Sequence, residues 1–66
     1  MNVFVNGQAV EVVDGSTVAD LVSSRGLKPD RIIAEVNGSV VQRGCLDSAV
    51  LGESDRIELV RFVNGG

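Results

Sequence analysis

The tripeptide Val-Asn-Gly occurs twice, at Val5-Asn6-Gly7 and at Val36-Asn37-Gly38, and each copy lies between β-prone runs. Asn-Gly is the strongest short hairpin signal, because both residues tolerate φ > 0 and the resulting turn matches the twist of its strands. Any fold of this chain therefore has to accommodate two hairpins, "NVFVNGQAVEVV" and "RIIAEVNGSVV". In the first, Val3 and Val5 fall on one face and Phe4 on the other, while Val10 and Val12 share a face with Glu11 opposite. In the second, Ile32, Ala34 and Val36 share one face, and Ile33 and Glu35 the other. Asp14-Gly15 turns the chain after the first hairpin.

Beyond that turn, "STVADLVSSRG" has the spacing of a short helix. Thr17 is a good N-cap, and Asp20 three residues later completes a capping-box-like pair. Val18, Leu21 and Val22 make one apolar stripe at i, i+3 and i+4. Gly26 supplies a C-terminal stop, and Pro29 opposes continuation. So short and β-branched a helix needs a sheet to hold it. After the second hairpin, "QRGCLDSAVLGESD" shows little periodicity, and Leu46, Val50 and Leu51 are expected to tuck under the sheet. "RIELVRFV" is the last strand. Ile57 and Leu59 alternate with Glu58 and Val60; then the sense changes, with Arg61 on the Leu59 face and Val60 and Phe62 on the other.

The order strand, strand, helix, strand, strand, strand is a compact α+β arrangement. It is the ββαβββ order of the β-grasp fold, a mixed sheet of about five strands packed on one helix. Likeness to that fold implies that the first and last strands lie side by side at the sheet centre. If so, Phe4, Val60 and Phe62 form an apolar patch on the face away from the helix, a candidate partner-docking surface.

Composition narrows the chemistry. Sixty-six residues allow one domain, and a chain this short buries only about 60% of the surface its unfolded state exposes. The core is mostly Val, Leu and Ile, with two Phe and no Trp or Tyr, which leaves little volume for a deep enclosed pocket. There is no His, so the commonest general base and metal ligand is missing. The single cysteine, Cys45, has no partner for an internal disulfide or a zinc site, and a reducing compartment suits it. Although Arg43 is close in sequence, Cys45 reads as a small structural or loop residue. Gly7, Gly15 and Gly26 are isolated turn glycines and do not form a phosphate cradle. The net charge of −3 comes without a basic stripe, so neither nucleic acid nor an anionic membrane is an expected partner, and a positively charged protein is the natural complement. Apolar runs such as Ile32-Ile33-Ala34 are far too short to span a bilayer, and no leader pattern opens the sequence. The expectation is a cytoplasmic protein without an enzyme site, a metal or a bound cofactor.

The sequence closes on "FVNGG", Phe62 to Gly66. Terminal glycines lose much entropy on ordering and tend to stay loose, so residues 1–63 read as the domain and 64–66 as a flexible tail. A β-grasp domain of this length, with "VNG" in both hairpins and "GG" at the end, resembles the ThiS family, the ubiquitin-like sulfur carriers of thiamine thiazole biosynthesis. "AEVNGSVVQR" and "SDRIELVRFVNGG" carry the match, and "VNGQAVEVVDGSTVADLV" supports it. The sequence departs from the family pattern at three points. Asn64 stands where a first tail glycine is common, Ser54 where a glycine usually sits between two acids, and Gln42 where a proline often precedes Arg43.

The resemblance implies a carrier acted on by partner enzymes. An ATP-dependent adenylyltransferase of the E1-like type would convert the Gly66 carboxylate to an acyl-adenylate. Sulfur from a cysteine desulfurase would then yield a thiocarboxylate on Gly66, the only covalent group involved, for use by thiazole synthase. Gly65 and Asn64 would complete the tail. Three other classes share parts of the pattern: the small subunit of molybdopterin synthase, a ubiquitin-like protein tag, and a β-grasp interaction module with an incidental GG.

Overall fold

A computed structural model describes residues 1–62. The elements are β1 (Asn2–Val5), β2 (Gln8–Glu11), α1 (Val18–Ser24), β3 (Ile32–Val36), β4 (Ser39–Val41) and β5 (Arg56–Arg61), with 3₁₀ turns at Pro29–Arg31 and Arg43–Cys45. The strands form one five-stranded sheet in the order β2-β1-β5-β3-β4. β5 is central, parallel to β1 and antiparallel to β3, so the expected adjacency of first and last strands holds.

The residues that predicted each element form it. Asn6 and Gly7 have φ of 50° and 85°, and Asn37 and Gly38 have φ of 52° and 88°, the left-handed pairs that a two-residue hairpin requires. The Thr17 side chain accepts a hydrogen bond from the Asp20 N–H at 3.1 Å, and the Asp20 carboxylate accepts one from the Thr17 N–H at 2.9 Å. At the other end of α1, the N–H groups of Gly26 and Leu27 donate to the carbonyls of Ser23 and Val22, the paired bonds of a Schellman stop. Val18, Leu21 and Val22 face the sheet. Against them pack Val3, Val5, Ile32, Ala34, Ile57 and Leu59, with Leu46 and Leu51 closing the side.

Val50 departs from expectation: it is 66% exposed, whereas Leu46 and Leu51 are buried. The cause is a local extended segment. Val50 forms an antiparallel bridge with Thr17, and the Leu51 N–H donates to the Ser16 carbonyl. Successive side chains in an extended segment alternate in direction, so Ala49 and Leu51 turn inward and Val50 outward. The same segment serves the helix start, since the carbonyls of Ala49 and Leu46 accept from the N–H groups of Val18 and Ala19. Of the last strand expected over 56–63, Arg56–Arg61 is strand; Phe62 lies just beyond it, its N–H still donating to the Arg31 carbonyl at 3.1 Å, and Val63 lies outside the described residues.

Both hairpin asparagines do more than turn. The Asn6 side chain donates to the Leu59 carbonyl at 3.3 Å and accepts from the Leu59 N–H at 2.9 Å. Asn37 accepts from the Arg56 N–H through its side chain at 3.0 Å, while its own N–H donates to the Arg56 carbonyl. The two side chains thus extend the ladders on either edge of β5, one towards each end.

Ser54 adopts φ of 67°, the left-handed conformation that favours glycine. For a residue with a Cβ this conformation costs about 1–2 kcal/mol. Ser54→Gly relieves that cost but adds chain entropy to the unfolded state, leaving a net gain of about 0.5–1 kcal/mol. The melting temperature is expected to rise by about 4 °C. An unchanged or lower value in a thermal melt would show that the turn stores no strain.

Candidate functional site

The candidate site is the end of the central strand and the outer sheet face beside it. On that face β5 presents Arg56, Glu58 and Val60, because Ile57 and Leu59 point into the core. The register places Ile33 directly across from Val60 and Glu35 directly across from Glu58. Ile33 and Val60, 40% and 53% exposed, make an apolar pair beside the facing carboxylates, and Val40, 63% exposed, lies across from Glu35. Like charges directly opposite on neighbouring strands are unfavourable, so this row is not arranged for stability.

The three expected docking residues do not form one patch. Phe4 is on the same face as Val60, but its partner on β5 is Arg56, four residues before Val60. Along a strand that is about 13 Å, with Glu58 between. The Arg56 guanidinium lies 5.3 Å from the centre of the Phe4 ring, a cation–π distance. Val60 is instead paired with Ile33, which strand alternation placed on the outer face without marking it for docking.

Phe62, 40% exposed, stands at the end of the sheet. It lines a groove of about 300 Å³ with Gly26, Leu27, Lys28, Arg31 and Arg61, and the Arg43 guanidinium lies 5.9 Å from its ring centre. Cys45 is exposed. It occupies the 3₁₀ turn after β4, where its carbonyl accepts from both the N–H and the hydroxyl of Ser48. Gly66, Gly65 and Asn64 lie outside the described residues. Among the described residues, no group of three or more metal-ligating side chains is assembled, and no helix is long and apolar enough to cross a membrane.

The ThiS family model matches residues 3–66. The chain belongs to the ThiS family. Members of this family are small sulfur carriers of thiamine biosynthesis, not enzymes. The structure of the thiamine biosynthesis protein ThiS from Geobacter metallireducens superposes with a TM-score of 0.84 at 29% identity, over 100% of both chains. A solution structure of a thiamine biosynthesis protein from the same organism gives 0.81 at 29% identity, over 100% of this chain and 88% of that one. The likeness extends to the whole β-grasp sheet and its helix. A thiazole synthase from Magnetococcus marinus is 36% identical over 66 residues, and the chain spans only 20% of that relative's length. A ThiS-like segment thus forms part of a much longer thiazole synthase chain.

Proposed function

We propose that this ThiS-family chain carries sulfur on the carboxyl group of Gly66. An adenylating partner joins the Gly66 carboxylate to the α-phosphorus of ATP and releases pyrophosphate. The carboxylate is a poor electrophile, and the acyl-adenylate supplies AMP as a good leaving group. A persulfide sulfur from a cysteine desulfurase attacks the acyl carbon and AMP departs. A thiol then cleaves the sulfur–sulfur bond, leaving a thiocarboxylate for thiazole formation.

The observation that carries this reading is the family match running through the closing Gly65-Gly66, directly beyond a central strand that presents Phe62 at the sheet end. Fully extended, the four residues after Phe62 reach roughly 13–14 Å. Without Cβ atoms the last two pass through a narrow channel. The thiazole synthase relative favours thiazole synthase as the consumer of the sulfur over a molybdopterin acceptor, and a single cysteine without a disulfide suits the reducing cytoplasm as the place of reaction.

The deciding experiment is an intact-mass measurement after incubation with the adenylating partner, ATP and a sulfur donor. Replacement of one oxygen by sulfur adds about 16 Da, and fragmentation is expected to place it on the peptide ending in Gly66. A gain of one whole sulfur on the peptide containing Cys45 would replace the carrier chemistry with a persulfide on the thiol.

Docking in this reading uses Val60, Ile33 and Phe62, with Phe4 at a separate contact. Phe62→Ala is expected to weaken binding of the adenylating partner by about tenfold, the range of a moderate hot spot, with the melting temperature lowered by only a few degrees, since the ring is partly exposed. Equal affinities in a calorimetric titration would remove Phe62 from the interface.

A further inference from the structure

Four of the six basic side chains of this acidic protein converge on the end of β5. Lys28, Arg31 and Arg61 line the groove around Phe62, and the Arg43 guanidinium lies 5.9 Å from its ring centre. All four are exposed. Among the described residues, none of them is within ion-pair distance of a carboxylate; the one such contact joins the Met1 amino group to Asp14 at 3.4 Å. Only two basic residues are left for the rest of the chain, and of the nine acids Asp30 stands within the collar's own stretch, between Lys28 and Arg31.

Four of the acids, Glu11, Asp14, Glu53 and Asp55, lie near the opposite end of the same strand, whereas Asp30 stands beside Arg31 in the collar's own turn. Glu11 is paired with Asn2, Glu53 accepts from the Asn2 N–H, and Asp55 immediately precedes β5. Acids therefore outnumber bases at the start of β5, where Arg56 stands, and bases outnumber acids around Phe62, where Asp30 stands. The net charge of −3 averages over this polarity, so the cationic partner it suggests is the wrong complement for the end bearing the tail.

We infer that Lys28, Arg31, Arg43 and Arg61 form a basic collar that docks on an acidic surface of the adenylating protein, beside the channel that receives the tail. This rests on the proposed carrier reading and adds the sign and place of the contact. An array of separate cations around an aromatic ring suits a protein surface with several carboxylates. Unpaired surface charges of this kind act mainly by steering encounter, raising the association rate and making it sensitive to salt.

The test measures association of the chain with its adenylating enzyme by stopped flow and calorimetry without ATP, and pyrophosphate exchange separately. Arg31→Gln combined with Arg61→Gln is expected to slow association about tenfold at low ionic strength. The difference should largely vanish at about 0.5 M salt, where the Debye length is only a few ångströms. Glu11→Gln, a charge change at the acidic end outside the candidate site, is expected to leave association unchanged or slightly faster. Circular dichroism of each variant confirms that the exposed substitutions leave the fold intact. Equal association of the double variant and the unaltered chain overturns the collar, even with normal exchange. Binding that depends on the collar but supports no exchange sinks the carrier reading and leaves the collar standing. Absence of any binding by the unaltered chain overturns both. Collar-dependent binding of ATP alone, or a salt-sensitive dimer lost in the double variant, would assign the cations to a nucleotide or to a second copy, and overturn the inference.

Discussion

A chain carrying one extra alanine after Gly66 is expected to lose ATP-dependent activation completely while folding as before. The added residue turns the Gly66 carboxylate into an amide, which offers no carboxylate oxygen to attack the α-phosphorus. The new carboxylate lies one residue, about 3.5 Å, further along the chain and carries a Cβ that a channel shaped for glycine excludes. The same alanine placed before Met1 alters no reacting atom and is expected to be harmless. Circular dichroism and melting temperature should be the same for both, because the described core is complete by Leu59. The check is pyrophosphate exchange with the adenylating partner, with intact mass confirming that Gly66 ends the unaltered chain and that the extension has not been trimmed. Retained exchange by the extended chain would falsify the carrier reading.

The second large effect falls on stability. Ile57 is fully buried on the central strand, beside Val5 on β1 and across from Val36 on β3. Ile57→Ala removes atoms from the place where both halves of the sheet meet, at a cost of about 2–5 kcal/mol. A domain of this size has a total stability of about 3–10 kcal/mol, so the variant is expected to lose a large part of it and to be partly unfolded at 37 °C. Glu58, one residue on, points outward and faces Glu35. Glu58→Ala removes a like-charge pair and is expected to change stability by less than about 0.5 kcal/mol, or to raise it slightly. Urea titrations of the two variants check this contrast. Similar midpoints would mean that β5 is not the keystone of the core.

Local chemistry made much of this fold legible. Asn6-Gly7 and Asn37-Gly38 announce their turns because φ > 0 is a property of those residues themselves. Thr17 and Asp20 announce the helix start because they lie three residues apart and bond to one another. The features that stayed hidden depend on residues distant in sequence. That the two asparagine side chains also bond to β5 requires knowing that Leu59 and Arg56 will arrive beside them. The exposure of Val50 comes from its bridge to Thr17, a pairing no periodicity in "DSAVLG" reveals. Phe4 and Val60 share a face, as alternation requires, but the register of a parallel pair decides whether they touch, and alternation carries no register. The four cations of the collar come from the loop after α1, the turn before β3, the turn after β4, and β5 itself, so no charge run marks them. Gly66 was legible as a motif through its family likeness; periodicity and composition say nothing of its chemistry.

The position of β5 has a consequence for how the molecule is made. β1 and β2 form one ribbon and β3 and β4 another, and within the sheet the two are joined through β5 alone. Synthesis proceeds from the N-terminus, so the last strand to appear is the one that closes the sheet. Until Arg56–Arg61 is available the two ribbons have unpaired inner edges, and an isolated two-stranded ribbon is at best marginally stable in water. Pairing β1 with β5 also closes a loop of some fifty residues, which makes folding slower than in proteins built from local contacts. A chain broken off before β5 therefore remains a pair of open ribbons exposed to proteases. Closure of the sheet thus waits on synthesis of Arg56–Arg61, the strand that both ribbons need.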